Sequence, residues 1–187
     1  MALVPYPELE SLPDDIRGHI EHFAADHGRP TLLRWMLAWS PPASAAVDAL
    51  YHPVFTTGKL ERRLKELLFV AASEQRKCFY CMGGHSRFLV NNFDYSQDLV
   101  EKMRRGEAVD GLDDREHALV LLIRKAASDA DDITTEDLES VRAHGWEDDE
   151  IVEALSAASQ AFWTNTLAQA MHLEDDVTEE NGFDGYF

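Results

Sequence analysis

Cysteine is scarce in this chain, and positive charge is outweighed two to one. There are two cysteines in 187 residues, and they sit three apart, at Cys78 and Cys81. A secreted scaffold held by disulfides uses more cysteines at wider spacing, so that class is excluded. Lys and Arg number 17 against 35 Asp and Glu, a formal net charge of −18. Phosphate binding needs clustered basic residues, which argues against a nucleic-acid partner and equally against an anionic membrane surface. Long hydrophobic runs are missing too. No segment reaches the roughly 18 consecutive apolar residues of a membrane span. Met1–Glu10 lacks a basic start and carries Glu8 and Glu10 where a secretory leader is apolar, so the expected location is cytoplasmic. In a reducing compartment two close cysteines point to redox chemistry or to a metal.

Strand patterns are also lacking. Val and Ile are scattered rather than alternating, and Leu and Ala dominate the apolar positions. Helix signals recur instead. Ser11 and Pro13 open a helix that Gly28 stops. Thr31 to Ser40 reads as a short helix ended by Pro41-Pro42, and Ala43 to about Tyr51 as another with Pro53 near its end. Leu60, Leu64, Leu67, Leu68 and Ala71 make an apolar stripe on a helix to about Gln75. The next helix runs from Cys78 to about Asn91, with the cysteine pair in its first turn. A two-residue link at Arg76-Lys77 makes these two helices antiparallel neighbours. Further helices are predicted over Ser96–Arg105, from Asp113 or Asp114 to Ser128, from Thr134 with Asp137 as a capping box to Gly145, and from Asp148 to about His172. The expected organisation is an N-terminal helical arm over 1–28, a helical domain over 29–173 and a loose acidic tail over 174–187.

The chemistry concentrates at Cys78-Phe79-Tyr80-Cys81-Met82-Gly83-Gly84-His85. Residues three and four apart share a helix face, which puts Cys78, Cys81 and His85 on one stripe. Cα atoms three apart in a helix are separated by ~5 Å, inside the range a disulfide tolerates. A helix N-terminus favours a thiolate, and a histidine one turn away can take the thiol proton. Between Lys59 and Arg87 stand seven basic and three acidic residues, a local net charge of +4 in an acidic chain. Basic neighbours lower a thiol pKa where the fold brings them near the sulfur. Glu66 lies beside the apolar stripe of the preceding helix. A buried carboxylate there needs a partner, and His85 is a candidate, though a surface glutamate fits the spacing as well.

At these residues the chain resembles the carboxymuconolactone decarboxylase-like family in its alkylhydroperoxidase D-type (AhpD-like) branch. That branch carries Glu, eleven residues, Cys, two residues, Cys, three residues, His, matched here by Glu66, Cys78, Cys81 and His85. The run Arg63-Leu64-Lys65-Glu66-Leu67-Leu68, the helix start at Asp113-Asp114-Arg115-Glu116, and His144-Gly145-Trp146 with its acidic turn and Ile151 extend the likeness over roughly Gly28 to Met171. The resemblance implies an all-α AhpD-like helical bundle that forms homo-oligomers. It implies reduction of a hydroperoxide at the expense of a dithiol or protein reductant, with no cofactor and no metal. It also implies roles: Cys81 attacks the peroxide, Cys78 resolves it as a disulfide, and Glu66 and His85 relay the proton. Two positions depart from the family pattern. Tyr80 stands where some members have a histidine, and Asn165-Thr166 where the last helix often carries Asn-Arg.

Other readings of the pair are weaker. A structural zinc site needs a fourth ligand beyond Cys78, Cys81 and His85, and no second Cys-x-x-Cys or His-x-x-x-His supplies one. Haem attachment needs His directly after the second cysteine, where Met82 stands. A thioredoxin fold needs strands around the motif. The alternative from a different class is a non-catalytic helical oligomer whose thiol pair is structural or senses redox state.

Overall fold

The structure, a computed structural model, describes residues 2–27 and 31–174. Among them the secondary structure is all-helical, with no strand. The α-helices are α1 (Asp14–His27), α2 (Leu32–Leu37), α3 (Pro41–Thr56), α4 (Arg62–Gln75), α5 (Phe79–Phe93), α6 (Gln97–Arg104), α7 (Asp114–Ser128), α8 (Thr135–Ala143) and α9 (Asp148–Ala170). The expected stop at Gly28 and the acidic segment 175–187 lie outside the described residues.

Local chemistry sets most boundaries. Thr31, Ser96 and Asp113 accept a backbone N–H of the first turn and cap α2, α6 and α7. Thr134 and Asp137 form the expected capping box at α8, and Glu147 with Glu150 forms a second at α9. Three boundaries differ from the sequence reading. Ser11 closes a 3-10 turn, and α1 starts after Pro13. Pro41-Pro42 opens α3 rather than only ending α2, because a proline at the first helical positions removes an N–H that has no partner there. Helix α3 also runs through Pro53 to Thr56.

Helix α4 is the axis of the bundle. An apolar stripe on one face predicts a helix half exposed to solvent, yet every residue from Leu64 to Ser73 is buried. Helices α3, α5, α6, α7 and α9 all pack on it and close off its remaining faces. The polar side chains on those faces are satisfied inside. Lys65 Nζ donates to the carbonyls of Val54 (2.7 Å) and Thr57 and pairs with Glu153 at 2.5 Å. This buried ammonium ties the C-terminal end of α3 and helix α9 to α4.

Helices α4 and α5 form the antiparallel hairpin that the short link predicts. Its ladder of contacts runs from Ser73–Cys78 at the turn, through Phe69 and Glu66 against His85, to Arg62 over Phe88 at 4.4 Å. The turn is a Schellman motif, with Cys78 N–H bonded to Ser73 O at 3.0 Å and Lys77 N–H to Glu74 O at 2.9 Å. Lys77 holds the left-handed conformation (φ 56°) that glycine usually fills.

Candidate active site

The turn decides where the first sulfur goes. Cys78 is the last residue of the Schellman motif and also the N-cap of α5, with extended backbone (φ −90°, ψ 91°). The sequence reading placed both cysteines inside the first helical turn; the reversal at Lys77 leaves Cys78 one residue outside it, and Cys81 lies in the third helical position. An N-cap side chain faces the open N–H groups of the first turn. The Cys81 thiol, and after it the Cys81 backbone N–H, favour the Cys78 thiolate. The Cys81 thiol is the main cause that holds the Cys78 pKa below the usual thiol value, against the opposing effect of burial, and the charge of Arg76 adds to the lowering.

Neither cysteine is in a disulfide, and both are buried, Cys78 at 1% and Cys81 at 4% exposure. Both face α9. Cys78 Sγ lies 4.0 Å from the backbone carbonyl oxygen of Asn165, and Cys81 Sγ 3.9 Å from Thr164 Oγ1. Tyr80, between the cysteines, accepts the Leu33 N–H with its hydroxyl at 3.0 Å. The phenol therefore braces the start of α2.

One turn past Cys81, His85 meets Glu66. The imidazole Nδ1 is 2.6 Å from Glu66 Oε2, with both side chains buried. An ionised Glu66 takes the Nδ1 proton as its hydrogen bond and leaves Nε2 as the basic atom of the ring. The other carboxylate oxygen, Oε1, accepts from the Tyr51 hydroxyl at 3.0 Å and from Arg62 Nε at 3.3 Å. Burial first, and the Glu66 carboxylate second, push the Tyr51 pKa well above its ordinary value. Tyr51 therefore stays a neutral donor. The imidazole stacks on Phe69, with ring centroids 3.8 Å apart, and the rings of Tyr51 and Phe55 close its other side at 6.1 and 6.4 Å.

The structure thus places the four residues singled out from the sequence on one hairpin, as two pairs: Glu66 with His85 and Cys78 with Cys81. Of the basic stretch around them, Arg76 acts on the Cys78 sulfur, while three other residues hold the bundle together. Lys59 pairs with Glu147 and Asp149, Arg63 with Glu116, and Lys65 with Glu153. Sequence reasoning missed Tyr51, Phe69, Ser73 and Thr164. For Arg62 a signal existed, since it precedes Glu66 by one helical turn. Among the described residues no cluster of three or more His, Cys, Asp or Glu could hold a metal ion. No helix there is long and apolar enough to cross a membrane.

Fold and site together define an all-helical protein with a buried dithiol and an adjacent carboxylate–imidazole pair. Residues 41–123, which include all four motif residues, match the carboxymuconolactone decarboxylase family. The same fold is found in an uncharacterised peroxidase-related protein from Ralstonia eutropha JMP134, described as an alkylhydroperoxidase AhpD core. Its TM-score is 0.87 at 22% identity, over 100% of this chain and 97% of that one. A peroxidase-related protein from Silicibacter sp. TM1040 gives 0.84 at 20% identity, over 100% and 96%. The debrominase Bmp8, solved in complex with 2,3,4-tribromopyrrole, gives 0.81 at 12% identity, over 100% and 98%. No match was found among curated proteins. Residues 41–123 carry that family's sequence pattern, and the chain shares the fold of the AhpD-core structure, in agreement with the resemblance its motif implied.

Proposed function

We propose that this chain is a thiol-dependent peroxidase, a disulfide oxidoreductase that reduces hydroperoxides through a reversible Cys78–Cys81 disulfide. The observation that carries the reading is the buried Glu66–His85 hydrogen bond, one helical turn beyond Cys81, the second of two reduced, buried cysteines. His85 Nε2 takes the Cys81 proton. The Cys81 thiolate attacks the distal oxygen of the hydroperoxide; the O–O bond breaks, and the leaving alkoxide receives that proton as an alcohol. Cys81 is now a sulfenic acid. The Cys78 thiol gives up its proton, its thiolate attacks that sulfur, the S–O bond breaks, and the departing hydroxide takes the proton and leaves as water. An external dithiol or protein reductant restores both thiols and is itself oxidised to a disulfide.

The division of labour between the sulfurs rests on the family resemblance and on the position of His85 relative to Cys81. The lowered pKa of Cys78 fits the resolving role, in which a thiolate must be ready when the sulfenic acid forms. The burial of both thiols favours a small oxidant.

The test is a peroxide-consumption assay with dithiol donors, run beside Cys81→Ser. Turnover that disappears in the variant, with the oxidised wild type lighter by two hydrogens in mass spectrometry, supports the reading. Two thiols that persist in folded protein after peroxide treatment reject it. They leave the other class, a helical oligomer with a structural thiol pair; a disulfide that forms without turnover leaves a redox sensor.

A further inference from the structure

Buried polar atoms in folded proteins are almost always hydrogen-bonded, so an exception needs a physical reason. Asn165 on α9 is such an exception. Its side chain is fully buried. Its Oδ1 accepts the Ser73 hydroxyl at 3.1 Å, while its Nδ2 has no acceptor among the described residues. The same residue closes a triangle with the first cysteine. The Ser73 carbonyl accepts the Cys78 N–H at 3.0 Å, and Cys78 Sγ lies 4.0 Å from the Asn165 backbone carbonyl. A neutral thiol is a weak acceptor and leaves an amide donor unmet. A thiolate is a strong one.

We propose that Asn165 holds the Cys78 sulfur as an anion: its side-chain N–H donates to that sulfur whenever the sulfur carries negative charge. This rests on the dithiol chemistry proposed above, in which Cys78 is anionic twice. It is a thiolate when it attacks the Cys81 sulfenic sulfur. It is a thiolate again when a reductant thiolate attacks the Cys81 side of the disulfide and the S–S electron pair passes to Cys78. The reductant's second thiol then displaces Cys81 from the mixed disulfide. A leaving thiolate that is better stabilised leaves faster. The groups around the sulfur are the Cys81 thiol and backbone N–H and the charge of Arg76 from the hairpin, and the backbone carbonyl of the uncharged Asn165 from α9.

The experiment titrates Cys78 as the only thiol, in a Cys81→Ala background, by the pH dependence of its alkylation with iodoacetamide. Asn165→Leu keeps the branching of the side chain and removes the donor. It should raise the midpoint by about one pH unit, a roughly tenfold loss of thiolate below it. Asn165→Asp keeps the shape and replaces the donor with a carboxylate oxygen, so it should raise the midpoint as well and serves if the leucine variant does not fold. Ser73→Ala removes the partner of Oδ1 but leaves the donor, and should move the midpoint by a few tenths at most. An unchanged midpoint in the folded Asn165 variants overturns the proposal. So does an equal shift in Ser73→Ala, which would mark Asn165 as a packing residue. Disulfide formation in the wild-type chain is read separately. If that fails, the peroxidase reading falls; if it succeeds while Cys78 ignores Asn165, only this assignment falls.

Discussion

Glu66 on α4 and His85 on α5 face each other across the hairpin, carboxylate against imidazole. Nδ1 is engaged at 2.6 Å by Oε2, which leaves Nε2 as the basic atom. A carboxylate directly against a thiol would oppose the thiolate by like-charge repulsion; on the far side of an imidazole it orients the base instead. Glu66→Gln and His85→Gln should therefore behave alike. Each should lower the peroxide rate near pH 7 by about a hundredfold, the usual worth of a positioned general base. Each should recover above pH ~9, where thiols ionise unaided. Stopped-flow pH–rate profiles of both variants check this. A Glu66→Gln profile that overlays the wild type while His85→Gln is dead would remove Glu66 from the relay.

Tyr51 should matter through the carboxylate rather than through substrate. Its hydroxyl is one of two donors on Glu66 Oε1. A hydrogen bond to a charged group is worth more than a neutral one, so Tyr51→Phe should cost about tenfold in kcat, with KM little changed. The sign of the pH effect follows from the raised pKa. As pH climbs through the ordinary tyrosine range, Tyr51 keeps its proton and continues to donate. Alkaline titrations of wild type and Tyr51→Phe, followed by tyrosinate absorbance, should superimpose up to about pH 11. A missing titration step near pH 10 in the variant would contradict the burial of the phenol.

Whatever is encoded locally was legible before the structure. Capping residues and turn chemistry act over three to six residues, so the predicted starts at Thr31, Ser96, Asp113 and Thr134 stand in the fold. Cys78, Cys81 and His85 lie on one stretch of eight residues, and a short link fixes the hairpin that brings Glu66 across. What stayed hidden is contributed from a distance. Tyr51 reaches Glu66 from α3, and Thr164 and Asn165 reach the sulfurs from α9, more than eighty residues on. No periodicity encodes such a contact. The burial of Lys65 was hidden for a related reason. A lysine in a charged stretch reads as a solvated surface group, and only the packing of α3 and α9 over α4 shows that it is internal. Lys77 shows a local rule overridden, since its left-handed turn would be announced in sequence by glycine.

The exposed aromatic beside the dithiol is one motive for expecting assembly. Phe79, the first residue of α5, is 74% exposed, and Trp39, Leu50, Leu121 and Val152 are also open to solvent. Fully burying one such side chain is worth about 1.5–3 kcal/mol, a gain that a second copy of the chain could supply. Multi-angle light scattering at micromolar concentration should give at least twice the 21.1 kDa chain mass. A monodisperse monomer would refute the homo-oligomer that the resemblance implies.

Lys65 should be the costliest charge to remove. Its ammonium is almost wholly buried and serves two carbonyls of α3 and the carboxylate of Glu153 on α9. Lys65→Met fills much of the same volume but leaves those acceptors without their donor. Breaking a buried pair in this way costs about 3 kcal/mol. For a chain of this size each kcal/mol moves Tm by roughly 2–4 °C, so a fall on the order of 10 °C is expected by calorimetry. The pair also sets a direction in pH. Burial would raise the Glu153 carboxyl pKa, but Lys65 and the backbone N–H groups of Lys59 and Leu60 together hold it below the ordinary value. A depressed carboxylate pKa contributes stability that is complete above the unfolded value, near 4.5, and is lost as pH falls through the folded one. The Tm gap between wild type and Lys65→Met should therefore be widest at neutral pH and narrow below about pH 4. Helix α3 also carries Tyr51 and Phe55, so loosening its end should reduce the peroxide rate even where the protein remains folded. A Tm within 2 °C of wild type, about the least a 1 kcal/mol change would produce, would show that the ammonium contributes little and that α3 is held by its apolar contacts alone.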